Sequence, residues 1–442
     1  MLKTFKKGGI HPAENKLSAS KPIMQLPVPE TVTIMVAQHI GVPAKVTVKK
    51  GDEVKVGQVI AQSAGFVSAN IHSSVSGKVI KTEPVTDISG LKKEAVIIQT
   101  SGDDWLETID KSDDLRSEIP SDKKEILDKI SAAGIVGLGG ATFPTHVKLM
   151  PPPGAKADIL IINGVECEPY LTSDHRLMLE KGEEILIGTR LLMKVMEVDR
   201  AIVGIENNKP DAIKYLSDLA GKYPGIEILP LKVKYPQGGE KQLIKAVTGR
   251  EVKSGALPIS EGVVVNNVGT AYAVYEAVMK NKPLFERVVS ITGKSVKNPG
   301  NYLVRIGTPI SQLIEAAGGI PDDTTKIISG GPMMGKAISS AEIPVSKGTS
   351  GILLMKNKEG HRAEAQNCIR CGRCISVCPM GLEPYLLMTY SDKKLWEQAE
   401  YDNIVDCIEC GSCSYTCPAN RPLLDYIRLG KTTVSAIKRN KK

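Results

Sequence analysis

Eight of the nine cysteines stand in two runs of identical spacing near the end of the 442-residue chain. Each run reads C-x2-C-x2-C-x3-C and is followed by proline. Three closely spaced thiolates can bind three irons of one cubane cluster, the chemistry of single-electron carriers. A zinc site uses four ligands and explains neither the third cysteine nor the proline. The runs therefore predict two 4Fe-4S clusters, with ligands Cys368, Cys371, Cys374, Cys378, Cys407, Cys410, Cys413 and Cys417.

The fourth cysteine of each run predicts how the runs share the clusters. It follows the third by three residues and precedes proline, which carries the chain away from its own cubane. Two independent four-cysteine sites are the alternative. The crosswise arrangement places Cys368, Cys371, Cys374 and Cys417 on one cluster and Cys407, Cys410, Cys413 and Cys378 on the other. The segment between the runs must then fold back as a hairpin.

A glycine-rich segment, residues 134–148, is the second candidate for chemistry. Its sequence is GIVGLGGATFPTHVK, and its glycines permit close backbone approach to a planar or phosphorylated ligand. Lys148 could neutralise a phosphate. The segment does not match the G-x-G-x-x-G dinucleotide fingerprint, and a plain helix-capping loop is the alternative interpretation.

Three further polar segments follow predicted strands: NGVECEP at 163–169, YPQGGEK at 235–241 and NNVGT at 266–270. Ligands of open α/β sheets bind at the carboxyl ends of strands. Adjacent asparagines offer donors and acceptors to a flavin ring or phosphate, and glutamates such as Glu166 and Glu168 can hold sugar hydroxyls. Each segment alone could be an ordinary turn.

The elements that must position these residues fall into several units. Short strands and turns dominate residues 30–100, whereas helix-period and strand-period segments alternate from residue 123. We expect a multidomain α/β protein with a parallel sheet in its central domain. The expected units are an all-β domain at 1–102, an acidic linker at 103–122, the α/β domain at 123–285, a small mixed domain at 286–345, a helical two-cluster domain at 346–430 and a solvated basic tail at 431–442.

Composition excludes some classes of protein. No apolar run approaches the roughly 18 to 20 residues that span a bilayer, and no apolar signal core follows the first lysines. Cysteines at metal-ligand spacing fit a reducing compartment. We therefore expect a cytoplasmic chain that does not itself cross a membrane, with no nucleic-acid partner. The net charge is a modest +8.

Two modules resemble known small domains. VTVKKGDEVKVGQVIA followed by SSVSGKVI resembles the biotinyl and lipoyl carrier domains, which bear a lysine at the tip of the hairpin between these motifs. The corresponding stretch here, Gly65–Asn70, has no lysine, so the resemblance implies a structural or docking module. Residues 286–345 resemble the soluble-ligand-binding β-grasp fold.

The polar segments, in the order GGATFPTHVK, NGVECEP, YPQGGEK, NNVGT and GGPMMG, resemble the flavin subunit of respiratory complex I. With the carrier-like module, the cluster runs and the start FKKGGIHP, the whole chain resembles the C-subunit family of Rnf ion-translocating oxidoreductase complexes. The chain departs from the complex I pattern at Val165 and at Gly239-Glu240. The resemblance implies noncovalent FMN at Gly137, Gly139, Gly140, Ala141, Thr142, Lys148, Asn163, Glu166, Glu168, Asn266 and Asn267, and NADH near Phe143 and Glu240.

The function that the resemblance implies is electron input. Hydride would pass from NADH to FMN, and single electrons would pass through the two clusters toward partner subunits of a membrane-bound complex and, indirectly, ferredoxin. The protein would sit peripherally on the cytoplasmic side of the membrane. Two alternatives are a cobalamin reductase of similar architecture, in which the carrier-like module follows the clusters, and an electron relay without an NADH site.

Overall fold

The computed structural model describes residues 2–440, and its N-terminal domain is a barrel-like pair of antiparallel sheets. One sheet has the order β2-β8-β7-β4 and the other β3-β5-β6. Alternate side chains such as Val32, Ile34 and Ile98 are buried between them. The strands are β2 (Thr31–Met35), β3 (Lys45–Val46), β4 (Glu53–Val54), β5 (Val59–Gln62), β6 (Ile71–His72), β7 (Ser76–Thr86) and β8 (Lys92–Gly102).

The central domain contains the predicted parallel sheet, with strand order β11-β10-β9-β12. Strands β9, β10 and β12 begin with buried apolar runs because helices cover both faces of the sheet. Residues 173–196 form two helices that meet at Lys181. The elements are α1 (Lys123–Ala132), α2 (Thr145–Lys148), β9 (Ile159–Asn163), α3 (Ser173–Glu180), α4 (Gly182–Met196), β10 (Ala201–Glu206), α5 (Pro210–Ala220), β11 (Ile226–Leu231), α6 (Glu240–Thr248), a 3-10 turn (Pro258–Glu261), β12 (Val263–Asn267) and α7 (Val268–Met279).

A six-stranded mixed sheet follows, and it is larger than the predicted unit 286–345. Its order is β1-β14-β13-β17-β15-β16. The first and fourth of these strands lie outside the predicted boundaries, because long-range pairing of the chain start and of the apolar run Ile352–Leu354 completes the sheet. The elements are β1 (Ile23–Gln25), β13 (Glu286–Thr292), β14 (Gly300–Arg305), α8 (Ile310–Ala316), β15 (Thr324–Ser329), β16 (Lys336–Ala337) and β17 (Gly351–Lys356).

Residues 103–122, expected to be a linker, pack against the neighbouring domains. The Trp105 ring meets the Phe285 ring edge-on, with centroids 5.0 Å apart. Ile109 is buried, and Lys280 Nζ contacts the Asp110 carboxylate at 3.1 Å. The acidic residues give the segment its linker-like composition, but its two apolar anchors fix it to the protein.

The C-terminal domain is helical, as predicted. Helices α11 and α12, between the cysteine runs, fold back against α14 and form the expected hairpin. Residues 431–440 are not a solvated tail but the second half of α14, because Ile427 and Val434 continue one buried face. Lys441 and Lys442 lie outside the described residues. The helices are α9 (Asn357–Gly360), α10 (Arg373–Ser376), α11 (Pro384–Asp392), α12 (Trp396–Tyr401), a 3-10 turn (Ile404–Asp406), α13 (Ser412–Thr416) and α14 (Leu423–Asn440).

Within residues 2–440, no helix combines the length and the apolar character needed to cross a membrane.

The closest helix packing in the central domain is between α4 and α7. A Cβ atom on Gly188 would lie 2.0 Å from the Ala271 carbonyl oxygen. Gly188→Ala should therefore force the helices apart and lower the free energy of unfolding by about 2 kcal/mol. Thermal unfolding checks this. Gly221→Ala is the control, since Gly221 has helical backbone and its nearest contact would be Asp218 O at 3.6 Å. Equal midpoints for the two variants would contradict the prediction.

Candidate functional site

The glycine-rich loop crosses the carboxyl edge of the parallel sheet between α1 and α2. The Gly137 N–H donates to the Phe143 carbonyl at 2.9 Å, so the loop closes as a narrow turn with residues 139–141 exposed at its tip. A Cβ atom on Gly140 would meet no protein atom within 4 Å. Thr142, next to this tip, has a left-handed backbone with φ of 53°. The loop thus presents open backbone to a ligand.

The asparagines predicted at the strand ends lie directly beneath this loop. A Cβ atom on Gly139 would be 2.7 Å from Asn267 Nδ2, so only glycine permits this approach. Asn267 Oδ1 accepts from the Gly269 N–H at 2.8 Å and caps α7. Asn266 is buried, and its Nδ2 has no partner among the described residues. An orphaned buried donor on β12, the strand that ends beneath the open glycine loop, fits the acceptor-rich ring or phosphate of FMN.

Lys148 and Glu240 meet at the same edge of the sheet. Lys148 Nζ lies 2.9 Å from Glu240 Oε1 and donates to the Val265 carbonyl at 2.7 Å. Asn163 Nδ2 donates to the Gly238 carbonyl at 2.9 Å. All four predicted polar segments therefore converge, although their sequences are far apart.

Glu166 and Glu168 differ from expectation, because both have partners within the protein. Glu166 caps α3 by accepting from the N–H groups of Asp174, at 2.8 Å, and His175, at 3.2 Å. Glu168 accepts from the N–H groups of Met333, at 3.2 Å, and Met334, at 2.8 Å. Burial raises the pKa of Glu168 to about 7. The structure thus places Glu168 at the contact with the GGPMMG loop and not beside the open backbone of the glycine-rich loop.

Asp174 is a site residue that the sequence analysis missed. Its Oδ2 accepts from Asn267 Nδ2 at 2.7 Å, directly behind the glycine loop. Burial and the neighbouring Glu166 carboxylate raise the pKa of Asp174 to about 7. In the sequence it reads as an ordinary acidic residue in the first turn of a helix. Its role depends on a partner 93 residues away.

The two cysteine runs fold as two copies of one loop. Arg370 and Glu409, which occupy equivalent positions, have left-handed φ angles of 55° and 57°. The glycine after the second cysteine is also left-handed in both runs and begins a short helix, α10 or α13. The same backbone geometry in both copies explains why the spacing is repeated.

Their surroundings differ. Cys410 and Cys413 are buried, whereas Cys368 and Cys371 are exposed. Burial raises the pKa of Cys407 to about 12 and also raises that of Cys413, and the nearby thiols, among them Cys378 of the first run, add to both shifts. Among residues 2–440, no three His, Cys, Asp or Glu side chains converge on one metal-ion position.

The flavin domain touches the second cysteine run directly. The Tyr235 hydroxyl donates to the Cys410 carbonyl at 2.8 Å and lies 3.4 Å from Glu168 Oε1. The chain start fills the remaining space, because Ile10 packs in the same apolar cluster and the Gly9 N–H donates to the Val377 carbonyl at 2.9 Å. Both candidate sites are therefore parts of one packed unit.

Four protein families match successive parts of the chain. They are the RnfC barrel sandwich hybrid domain at 3–103, the Nuo51 FMN-binding domain at 130–276, the SLBB domain at 288–337 and the 4Fe-4S dicluster domain at 361–422. These matches confirm the predicted multidomain architecture. They also confirm FMN and two 4Fe-4S clusters as the cofactors.

Full-length relatives are similar throughout. The C-subunit of the proton-translocating ferredoxin:NAD(+) oxidoreductase complex of Clostridium ljungdahlii is 49% identical over 435 residues, which cover 98% of this chain and 94% of that protein. Its counterpart in the Na(+)-translocating complex of Acetobacterium woodii is 47% identical over 439 residues, 99% and 98% of the two chains. The chain belongs to the C-subunit family of ion-translocating oxidoreductase complexes. The Rhodobacter capsulatus member is 42% identical over 438 residues, 97% of this chain and 83% of that protein.

Solved structures extend the likeness in fold. The NAD+-reducing NiFe-hydrogenase in its H2-reduced state is 20% identical with a TM-score of 0.50, over 72% of this chain and 63% of that chain. Its air-oxidised state gives 17% identity and a TM-score of 0.52, over 73% and 69%. This member of the C-subunit family therefore shares the fold of a chain of that enzyme over 72% of its own length.

Gly140→Leu tests the flavin loop. Because no protein atom lies within 4 Å of the added Cβ atom, the variant should fold, but leucine would occupy the space for the cofactor and weaken FMN binding at least about tenfold. FMN titration of the apoprotein, followed by flavin absorbance, measures this. Gly221→Leu is the control at an exposed helical glycine. A folded Gly140→Leu protein with full flavin content would refute the assignment.

Proposed function

We propose that this chain is the electron-input subunit of an ion-translocating ferredoxin:NAD(+) oxidoreductase complex, with its own NADH-oxidising activity. The carrying observation is the 2.8 Å hydrogen bond from Tyr235 to the Cys410 carbonyl, which joins the flavin domain to a cluster ligand. FMN, when bound, converts a two-electron donor into a source of single electrons. The chain itself holds the two sites in contact and excludes water from the space between them.

The proposed NADH-binding site consists of Phe143, Lys148 and Glu240. Phe143 is half-buried in the flavin loop, and Glu240 begins α6 beside Lys148. The carboxylate can accept from ribose hydroxyls, while the ammonium group can bind phosphate. These two groups form an ion pair at 2.9 Å. NADH would therefore exchange this ion pair for contacts of its own.

We propose the crosswise ligand sets, with Cys378 serving the cluster of Cys407, Cys410 and Cys413. The proximity of Cys378 to these thiols supports this set. This cluster would be proximal to the flavin domain, and the cluster of Cys368, Cys371, Cys374 and Cys417 would be distal. The exposure of Cys368 and Cys371 supports electron exit there.

The proposed electron exit at the distal cluster implies partner subunits that accept the electrons. The relatives are named as subunits of ferredoxin:NAD(+) oxidoreductase complexes, so we propose the other subunits of such a complex as direct partners, ferredoxin as an indirect one and NAD(H) as the substrate. We further propose that the chain binds peripherally on the cytoplasmic side of the membrane. The β-grasp assignment for the SLBB region is supported by α8, whose Ile310, Leu313 and Ile314 share a core with the mixed sheet.

Phe143→Ala and Glu240→Gln test the NADH site. Each variant removes a contact worth about 1.4 kcal/mol, so the apparent NADH affinity should fall about tenfold while bound FMN is retained. Stopped-flow bleaching of flavin absorbance by NADH is the measurement. Phe66→Ala, at an exposed phenylalanine, and Glu251→Gln, at an exposed ion pair, are the controls. Unchanged affinity and rate in both site variants would leave an electron relay as the better interpretation.

Cys378→Ser and Cys417→Ser form a matched pair for the crosswise scheme. Cys378→Ser should impair the proximal cluster and stop NADH from bleaching iron-sulfur absorbance, even though the distal ligands are intact. Cys417→Ser should impair only the distal cluster, so one cluster still bleaches rapidly. Anaerobic spectra and iron counts measure both. The reverse pattern, or density that joins the Cys378 sulfur to the cluster of Cys368, would establish two independent sites.

A further inference from the structure

Two buried cations from outside the flavin domain hold carbonyl groups of the flavin loop. Lys347, in the segment before β17, donates from Nζ to the Gly134 carbonyl at 2.7 Å. Arg287, on β13, donates from Nη2 to the Leu138 carbonyl at 3.3 Å and from Nη1 to the Lys347 carbonyl. Lys347 is only 1% exposed. The first half of the loop is thus anchored by side chains of the mixed-sheet domain.

Lys347 also binds the carrier-like module. Its Nζ donates to the Asn70 carbonyl at 2.8 Å, and its backbone N–H donates to Gln38 Oε1 at 2.8 Å. Asn70 Nδ2 reaches the Ala132 carbonyl, at the end of α1, at 3.1 Å. A Cβ atom on Gly134 would lie 2.2 Å from the Asn70 carbonyl oxygen, so the two backbones are in direct contact. The stretch that lacks the carrier lysine ends against the beginning of the flavin loop.

The carrier-like module is attached on a second side as well. Ser74 Oγ donates to the Ile306 carbonyl at 2.5 Å, and Arg305 Nη1 donates to the Ser74 carbonyl at 3.0 Å. Ile71 and Val75 of the module belong to one continuous apolar core with Ile130 and Ile135 of the flavin domain. Movement of the module would break this core and expose apolar surface to water.

We propose that the carrier-like module is a fixed brace for the FMN-binding loop and that Lys347 is a positioning residue for FMN. The loop tip is exposed, so its shape depends on how its anchored beginning is held. If Lys347 were removed, the carbonyls of Asn70 and Gly134 would lose a shared buried donor, and the loop would become mobile. A loop that must be ordered on binding loses affinity.

The chemistry of Lys347 suits this role at neutral pH. Burial lowers its pKa to about 7. Both the ammonium form and the amine form have at least two N–H groups, which matches the two carbonyl acceptors. His72, buried nearby, has its pKa lowered to about 3 by burial and by Lys347, so it adds no competing charge.

Lys347→Met in the full-length chain is the primary test, with Lys280→Met as its control. Lys280 is also a buried lysine that donates to carbonyls, those of Ser112 and Asp114, but it holds residues 103–122 and not the flavin loop. We expect the FMN dissociation constant to rise about tenfold in Lys347→Met and to stay unchanged in Lys280→Met. Amide hydrogen exchange in residues 134–148 should quicken only in Lys347→Met. Equal FMN affinity in the two variants would overturn the proposal.

A gentler substitution covers the case in which Lys347→Met does not fold. Asn70→Asp keeps Oδ1 as the acceptor for the Ser63 N–H but removes the donor to Ala132. It should weaken FMN binding about threefold, the effect of one lost hydrogen bond. Wild-type affinity in Asn70→Asp would then refute the brace. The proposal rests on FMN binding by the glycine loop, which Gly140→Leu tests separately. A loss of FMN in Gly140→Leu but not in the brace variants would refute the brace alone.

Discussion

The Tyr235 hydroxyl donates to the Cys410 carbonyl where water has no access, and the placement of both cofactor sites depends on this contact. A buried hydroxyl or carbonyl without its partner would cost on the order of 1 to 3 kcal/mol, so the two groups hold each other in place. The chain start packs against this contact and fills the adjoining space. Its glycines permit this: a Cβ atom on Gly8 would lie 2.5 Å from the Cys378 carbonyl carbon. The first residues of the chain thus help position a cluster ligand near its end.

The flavin domain and the segments packed against it contain titratable groups that are expensive to bury. Glu168 and Asp174 have pKa values raised to about 7, whereas burial lowers the pKa of Lys347 to about 7. Between pH 4 and 7 the folded state holds protons on the acids that the unfolded state releases, so their ionisation lowers stability as pH rises. Lys347 acts in the opposite sense. Between pH 7 and 10 the unfolded state holds a proton that the folded state releases, so stability rises with pH as the cost of burying the charge is removed. The free-energy cost of burying the charged forms of these three groups is therefore largest near pH 7. Groups retained at such a cost are typical of functional sites.

The sequence predicts the parts of this arrangement that depend on local patterns. The apolar strands ILII and VVV indicate a sheet covered on both faces, and the repeated cysteine spacing indicates two equal loops. Contacts between distant residues were not predictable in this way. Glu168 reads as a ligand-binding carboxylate, yet it accepts hydrogen bonds from Met333 and Met334. Residues 103–122 read as a linker because acidic residues outnumber their apolar anchors, but Trp105 packs against Phe285 and Ile109 is buried.

The different surroundings of the two cysteine runs bear on the direction in which electrons move most easily through the chain. Adding an electron adds negative charge, which water stabilises near the exposed Cys368 and Cys371 and which burial disfavours near Cys410 and Cys413. Lys431 opposes this difference in part, because its Nζ donates to the Cys407 carbonyl at 2.7 Å and places a positive charge beside the buried run. Solvation acts on two exposed ligands, whereas Lys431 also pairs with Glu409 at 3.0 Å, which neutralises much of its field. With the ligand sets proposed above, this balance favours reduction of the cluster that has the exposed ligands Cys368 and Cys371.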